Sequence, residues 1–341
     1  AVDVLREGRS VLTRVIAEET LDAASHDDEH TRLIREVGIH SSAIVPLVTR
    51  GRVIGALTLA SSDPARSYDD EDLRLAEDLA LRASLAVENA RLLEERTEQS
   101  RTLQRALLPP DLPAVPGLDA AALYLPAAEG VEVGGDFYDL FNIDADTWGA
   151  VVGDVCGKGV EAAVLTALCR HTIRTAAGEG NDPSAVLRIL NRAILRETAE
   201  STFATVCYMA LTMGDDSVHV ELASGGHPLP LVVRGDGTVE VMGETRGVLG
   251  FFEVTGVGSS SFSLHRGDTL VAYTDGVTDA RRGDEFFGEA RLSRVVGSCG
   301  GLPSGSTVER IAKEVTAFEP GGQRDDIVLL ALRVTADGAH A

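Results

Sequence analysis

Two apolar runs, Ser42–Val48 and Val53–Ala60, flank Thr49-Arg50-Gly51-Arg52. Apolar, partly β-branched runs around an Arg-Gly centre predict a hairpin. Next, Tyr68-Asp69-Asp70-Glu71-Asp72 opens a helical pattern whose apolar face is expected at Leu73, Ala76, Leu79, Ala80, Ala83, Leu85 and Ala86. Acids in the first turn suit the positive end of the helix dipole. From Ser84 to Leu108 the pattern stays helical, charged and free of Gly and Pro. A heptad frame through Leu85, Asn89, Leu92, Arg96, Gln99, Leu103 and Ala106 is apolar at four of seven places. That pattern reads as a weak coiled coil or a solvated helix face. Pro109, Pro110, Pro113 and Pro116 then stop the helix and mark a stiff boundary.

After Leu118 strand patterns become dense, at Asp119–Leu125, Asp136–Ile143 and Thr147–Gly153. Two helices are expected over Val160–Ala177 and Ser184–Glu200. Strands resume at Thr202–Met213, Ser217–Ala223, Leu229–Arg234, Val239–Met242, Ser259–Leu264 and Asp268–Tyr273. Helices at Glu289–Gly297 and Ser306–Phe318 precede a last strand, Asp326–Val334. Blocks of strand and blocks of helix, without strict alternation, predict an α+β fold: mostly antiparallel sheets forming a sandwich with helices outside.

Within this frame, Asp136 follows Gly134-Gly135, Asp154 follows Gly153, Asp275 precedes Gly276, and Asp325 precedes Asp326. Carboxylates at strand ends, with no cluster of Lys or His beside them, are the donors a hard cation takes. Hydrolysis of a phosphate ester needs an activated water and neutralised phosphoryl charge, which two cations held by aspartates supply. The expected site is Asp136, Asp154, Asp275 and Asp325 or its neighbour Asp326, binding two Mg or Mn ions, with the Val155 carbonyl as a further ligand. Lys158 reads as a turn residue, because Gly153–Gly159 lacks the spacing of a phosphate-binding loop. His227 reads as a loop stabiliser, since no second His accompanies it.

Composition narrows the alternatives. A chain of 341 residues suggests two domains, and 44% hydrophobic content with only 4% aromatics means cores of Ala, Val and Leu. The formal net charge of −22 argues against nucleic acid or an anionic membrane as partner. Residues 109–341 carry 33 acidic and 17 basic groups, so the acid excess lies with the four aspartates. Four unpaired-looking cysteines (Cys156, Cys169, Cys207, Cys299), no membrane-length apolar run and no signal-peptide pattern predict a cytoplasmic protein.

The ordered set Gly-Gly-Asp-Phe-Tyr-Asp, Gly-Asp-Val-Cys-Gly-Lys-Gly, Ser224-Gly225-Gly226-His227-Pro228, Tyr-Thr-Asp-Gly-Val-Thr-Asp and Arg-Asp-Asp-Ile resembles the metal-dependent protein phosphatases, and within them the bacterial SpoIIE-type branch. The resemblance covers about Leu103 to Val334. It implies an αββα sandwich, two Mn or Mg ions and a phosphoserine or phosphothreonine protein as substrate, typically a STAS-domain anti-sigma-factor antagonist in partner switching. By motif, Asp136 and Asp154 bind the first ion and bridge, while Asp275 and Asp325 complete the second. Asp325 matches the first acid of the family's Asp-Asp/Asn-x-Thr motif, whose Thr position is Val328 here. Asp139 is implied to act behind the ligands. Cys156 stands where eukaryotic members carry a His, and Asp279 where Glu is common.

The first 95 or so residues resemble the C-terminal half of a GAF sensor domain, through Ile44-Val45-Pro46-Leu47, Gly55–Leu59, Tyr68–Leu73 and Glu88–Leu92. The expected organisation is a GAF-like domain over 1–83, a linker helix over 84–108 and a Pro-rich boundary over 109–117. The phosphatase domain follows over 118–335, with a tail over 336–341. Homodimerisation through the N-terminal domain and linker helix is expected. One rival is a diguanylate cyclase, whose GGDEF signature Gly134-Gly135-Asp136-Phe137 copies only in part, leaving the later acids unexplained. The other is a catalytically inactive phosphatase-like sensor or scaffold.

Overall fold

The computed structural model describes residues 2–16, 37–109, 111–127, 133–197, 202–252 and 257–335. The expected tail 336–341, the acidic run Asp27-Asp28-Glu29, Pro110 and the last residues of the helix expected to end at Glu200 lie outside them. Two compact units divide the chain, Ala1–Glu95 and Arg96–Ala341.

The first unit contains α1 (Val2–Glu7), β1 (Val11–Thr13), β2 (Ser41–Thr49), β3 (Arg52–Ser61) and the start of α2 (Asp70–Leu107). Its antiparallel sheet has the order β1-β2-β3. The expected hairpin closes through Arg50 and Gly51, both at positive φ (47° and 76°), the conformation a tight two-residue turn needs. Asp69 caps α2: its Oδ1 accepts the Glu71 and Asp72 N–H groups at 2.8 and 3.0 Å, and Asp72 Oδ2 accepts from the Asp69 N–H at 3.1 Å. Such a reciprocal cap satisfies donors that a helix end otherwise leaves open. Ala76 and Ala80 pack with Val45 against Leu47, Leu57, Leu59 and Leu73.

Here the expected helix face needs correction. The buried stripe is Ala76, Ala80 and Ser84, extended by half-buried Leu73, while Leu79 and Leu85 are exposed. Spacings of three and four residues select one side of a helix advancing 100° per residue. Small residues on that side let α2 approach the sheet, and Leu79, Ala83, Leu85 and Ala86 fall outside it.

The second unit contains β4 (Leu118–Leu125), β5 (Phe137–Asn142), β6 (Thr147–Val155), α3 (Val160–Gly178), α4 (Pro183–Glu197), β7 (Ala204–Met213), β8 (Ser217–Gly225), β9 (Leu231–Val233) and β10 (Val239–Val241). It continues with β11 (Thr245–Arg246), β12 (Ser260–His265), β13 (Thr269–Tyr273), α5 (Gly276–Asp279), β14 (Arg281–Arg282), β15 (Glu285–Phe286), α6 (Gly288–Gly297), α7 (Ser304–Phe318) and β16 (Ile327–Val334). One sheet has the order β10-β9-β13-β16-β4; the other has β11-β8-β7-β6-β5, with β12 also on β8. Every pairing in these sheets is antiparallel except β11 on β8. The sequence pattern had not predicted α5, β11 or the β14–β15 pair.

Three apolar layers result. Leu140, Val152, Met209, Leu222, Leu270 and Leu330 pack between the two sheets. Phe137, Leu165, Ile173, Leu187 and Leu190 join α3 and α4 to the β5–β8 sheet. Leu292, Ile311, Val315, Val271 and Leu329 join α6 and α7 to the other. The fold is the expected α+β sandwich with helices on both outer faces. Its layers are built mainly from aliphatic side chains.

Strand parity decides where Asp139 points. Residues 137, 139 and 141 share the helix-facing side of β5, so Asp139 is fully buried beneath α3. There Arg170 Nη2 donates to it at 3.1 Å, and Arg174 donates twice, each at 2.7 Å. Arg170 also donates to the Leu107 carbonyl at the end of α2. Asp139 therefore anchors a helix and does not stand behind the other aspartates. Replacing it by Asn leaves two arginines without their counter-charge. Asp139→Asn is expected to lower stability by about 2–4 kcal/mol. Denaturant unfolding read by the single tryptophan, Trp148, which packs against the inter-sheet core, measures it; an unchanged midpoint contradicts this account.

Candidate active site

Strand pairing assembles the site in two halves. In one sheet Phe137 pairs with Gly153, which sets Asp136, just before β5, beside Asp154 near the end of β6. In the other, Tyr273 pairs with Leu329, which sets Asp275, just after β13, beside Asp325 and Asp326 ahead of β16. Thr274 joins the halves. Its hydroxyl donates to Asp136 Oδ2 at 2.6 Å and accepts the Val328 N–H at 2.9 Å.

Close backbone approach makes this possible. A Cβ on Gly135 would overlap the Val155 carbonyl oxygen and crowd Asp154 Oδ1. A Cβ on Gly134 would overlap the Asp326 carboxylate, and one on Gly276 the Asp326 carbonyl. The Gly135 carbonyl in turn accepts from the Val155 N–H at 3.2 Å and from the Thr166 hydroxyl of α3 at 3.4 Å. Glycine at 134, 135 and 276 is a steric requirement here.

The electrostatics follow from crowding. Burial, and then the Asp154 charge, raises the Asp136 carboxyl well above its ordinary range. Burial, followed by Asp275, pushes Asp154 up to about 7. Asp275, at the solvent rim, is raised by desolvation and then by Asp325. Asp326 is raised by burial, which outweighs the Ala127 N–H bonded to its Oδ1 at 2.8 Å and the Tyr124 hydroxyl. Asp325 is exposed; its Oδ1 accepts the Asp326 N–H at 3.0 Å and lies 3.9 Å from Lys158 Nζ.

All six expected site residues thus lie in one neighbourhood, with the Val155 carbonyl against Gly135. Among the described residues, no group of three or more His, Cys, Asp or Glu side chains is set to hold a metal ion as it stands. The donor set nevertheless fits hard divalent cations. It consists of carboxylate oxygens and a main-chain carbonyl, crowded and desolvated, with Lys158 the cation placed against them.

Sequence reasoning missed several supporting groups. Thr274 lies inside the motif around Asp275, and a single hydroxyl carries no sequence signal for its bond to Asp136 on the other sheet. Tyr124 sits in an Ala/Leu-rich strand with no marker. His227 ties the halves together: its Nδ1 lies 2.9 Å from the Thr205 hydroxyl and its Nε2 3.1 Å from the Tyr273 carbonyl. Burial lowers its pKa to about 3. The ring is therefore neutral, with Nε2–H donating to Tyr273 and Nδ1 accepting from Thr205. Lys158 is a turn residue between two positive-φ glycines, as expected, and also an ion-pair partner of Asp325.

Sandwich, flanking helix pairs and converging aspartates agree with the family to which the sequence assigns the chain. The chain belongs to the Stage II sporulation protein E (SpoIIE) family, whose model matches residues 144–335, and a GAF domain model matches residues 2–87. Protein IcfG of Synechocystis sp. is 28% identical over 69% of this chain and 41% of its own length. Phosphoserine phosphatase RsbU of Bacillus subtilis is 27% identical over 71% of this chain and 70% of its own. The crystal structure of the RsbU and RsbW domains of Rv1364c from Mycobacterium tuberculosis is similar, with a TM-score of 0.56 and 31% identity over 66% of this chain and 62% of that one. This chain thus spans less than half of IcfG.

A carboxyl raised from 3.8 to about 7 binds a proton more tightly folded than unfolded. It therefore subtracts stability progressively as pH rises through that window. Asp154→Asn is expected to stabilise the cation-free protein at pH 7.5 by about 1–2 kcal/mol. The same change should flatten the pH dependence of melting between pH 5 and 7.5. Melts in a chelator at several pH values test this, and a less stable variant at pH 7.5 contradicts it.

Proposed function

We propose that this protein is a metal-dependent serine/threonine protein phosphatase acting on phosphoserine or phosphothreonine of a bacterial regulatory protein. A STAS-domain anti-sigma-factor antagonist is the proposed substrate, by partner switching. The observation that carries the reading is the meeting of Asp136, Asp154, Asp275 and the Asp325-Asp326 pair beside the Val155 carbonyl. Relatedness to a phosphoserine phosphatase supports it.

In this reading Asp136 and Asp154, with the Val155 carbonyl, hold a first Mn or Mg ion, and Asp275 and Asp325 a second. When bound, the ions neutralise phosphoryl charge and make water nucleophilic at neutral pH. The chain's own contribution is positioning. Thr274 fixes the Asp136 carboxylate, and His227 fixes the Tyr273 carbonyl two residues before Asp275. Ala127 N–H and Tyr124 orient Asp326. Lys158, on the rim by Asp325, offsets part of the local negative charge that would repel an incoming phosphate.

Among the described residues no helix is long and apolar enough to cross a membrane. Four free thiols support a cytoplasmic setting. Exposed Leu75, Leu79 and Leu85, on α2 but outside its packed stripe, support homodimerisation through that helix. A shift of α3 and α4 driven by the dimer, which completes the metal site, is the regulatory part of the proposal.

Phosphate release from a phosphoserine peptide in Mn is expected to vanish with a chelator and return on adding Mn. It should fall by at least about 100-fold in Asp136→Asn and in Asp275→Asn. A wild-type protein that releases no phosphate under any divalent cation favours the inactive scaffold instead. Removal of residues 1–100 should convert a dimer to a monomer in sedimentation and change the rate; no change in either rejects the regulatory part.

A further inference from the structure

Aromatic side chains are scarce in this chain, yet three of its nine phenylalanines gather in one place. Phe203 and Phe251 stack with ring centroids 5.0 Å apart, and Phe252 lies 6.3 Å beyond Phe251. Phe252 is 79% exposed and Phe251 46%. A large apolar ring left in water forgoes the roughly 2 kcal/mol its burial would contribute.

The segment presenting these rings is firmly held. Leu249 and Ala204 exchange both backbone hydrogen bonds at 2.9 Å. Asn191, buried on α4, accepts the Gly250 N–H at 2.7 Å and donates to the Phe252 carbonyl at 2.8 Å. Gly250 has φ 100°, and a Cβ there would meet the Thr202 carbonyl and Ile194 within 2.8 Å. A buried amide and an obligatory glycine thus fix the backbone that carries two exposed rings. A rigid aromatic surface loses little conformational entropy when it is covered.

The patch also adjoins the carboxylate site. The Phe203 carbonyl accepts the N–H of Cys156, the residue after Val155, at 2.8 Å. On the neighbouring strand Ala204 is registered with Val155 and Thr205 with Asp154. The net charge of −22 gives a phosphorylated partner no long-range attraction, so apolar contact beside the site would add to what Lys158 and bound cations supply. Adjacency to the carboxylates favours the substrate protein as occupant over a second copy, whose contact is proposed on α2.

We propose that Phe251 and Phe252 form a docking surface for an apolar side chain flanking the phosphorylated residue of the substrate protein. The proposal rests on the phosphatase reading above.

The test uses the full chain with two phosphoserine peptides, one with Leu and Ile flanking the phosphoserine and one with Ser and Gly there, together with p-nitrophenyl phosphate. The wild type should favour the apolar peptide about tenfold in kcat/KM. Phe252→Ser should remove that preference and leave p-nitrophenyl phosphate hydrolysis unchanged, while Phe252→Leu restores it. Equal rates on both peptides in the wild type, or a preference that survives Phe252→Ser, overturns the proposal. Fluorescence anisotropy of the labelled peptides separates docking from chemistry. Tighter, Phe252-dependent binding of the apolar peptide without turnover supports docking and rejects the hydrolase; equal binding of both peptides rejects docking. Loss of self-association in Phe252→Ser, with both peptides bound equally, makes the patch a contact between copies and also overturns the proposal.

Discussion

Crowding of like charge at one end of a β-sandwich is the constraint around which this molecule is organised. Five aspartates interact across two sheets, and most of them lose water in doing so. Such an arrangement opposes folding, so other contacts have to hold it. Backbone pairing in both sheets fixes which strand ends are adjacent. The Thr274 hydroxyl and the neutral His227 ring then join one sheet to the other with hydrogen bonds that need no charge. Glycine at 134, 135 and 276 removes the side chains that would otherwise push the acids apart.

The same economy of material is seen in the cores. With few aromatic rings, the three layers rely on interdigitated Val, Leu, Ile and Ala, and strands such as β16 are buried along nearly their whole length because apolar side chains cover both faces. Charge enters these layers where it is paired. Asp139 is the main instance, buried and met by two arginines of α3. It lies three residues from Asp136 and serves the opposite electrostatic purpose: one carboxylate is neutralised, the other is left to repel its neighbours.

Much of this was legible before any coordinates. Strands of the second unit were readable because alternation and glycine punctuation are local signals, and the acid-glycine pairs at their ends marked where the chain turns. Three kinds of feature escaped. Two-residue strands such as β11 are too short to carry a period. The phase of α2 was misread because apolar residues occur all round it, so Leu79 and Leu85 could not be told from Ala76 and Ala80 by pattern. Partners set by folding, such as Tyr124 for Asp326 or Asn191 for the Gly250–Phe252 segment, are distant in sequence and individually unremarkable. Asp139 was a parity question: strand alternation turns it to the helix side, although its motif associates it with Asp136.

Arg170 grips α2 by a main-chain oxygen, that of Leu107. Every residue offers the same carbonyl, so this contact depends on where the last turn of α2 lies and not on which side chains it carries. Substitutions along α2 can accumulate without disturbing the grip. A single inserted residue, by contrast, would turn the helix end by about 100° and advance it by about 1.5 Å, carrying a different oxygen toward the guanidinium. At this contact an insertion would therefore matter more than a substitution.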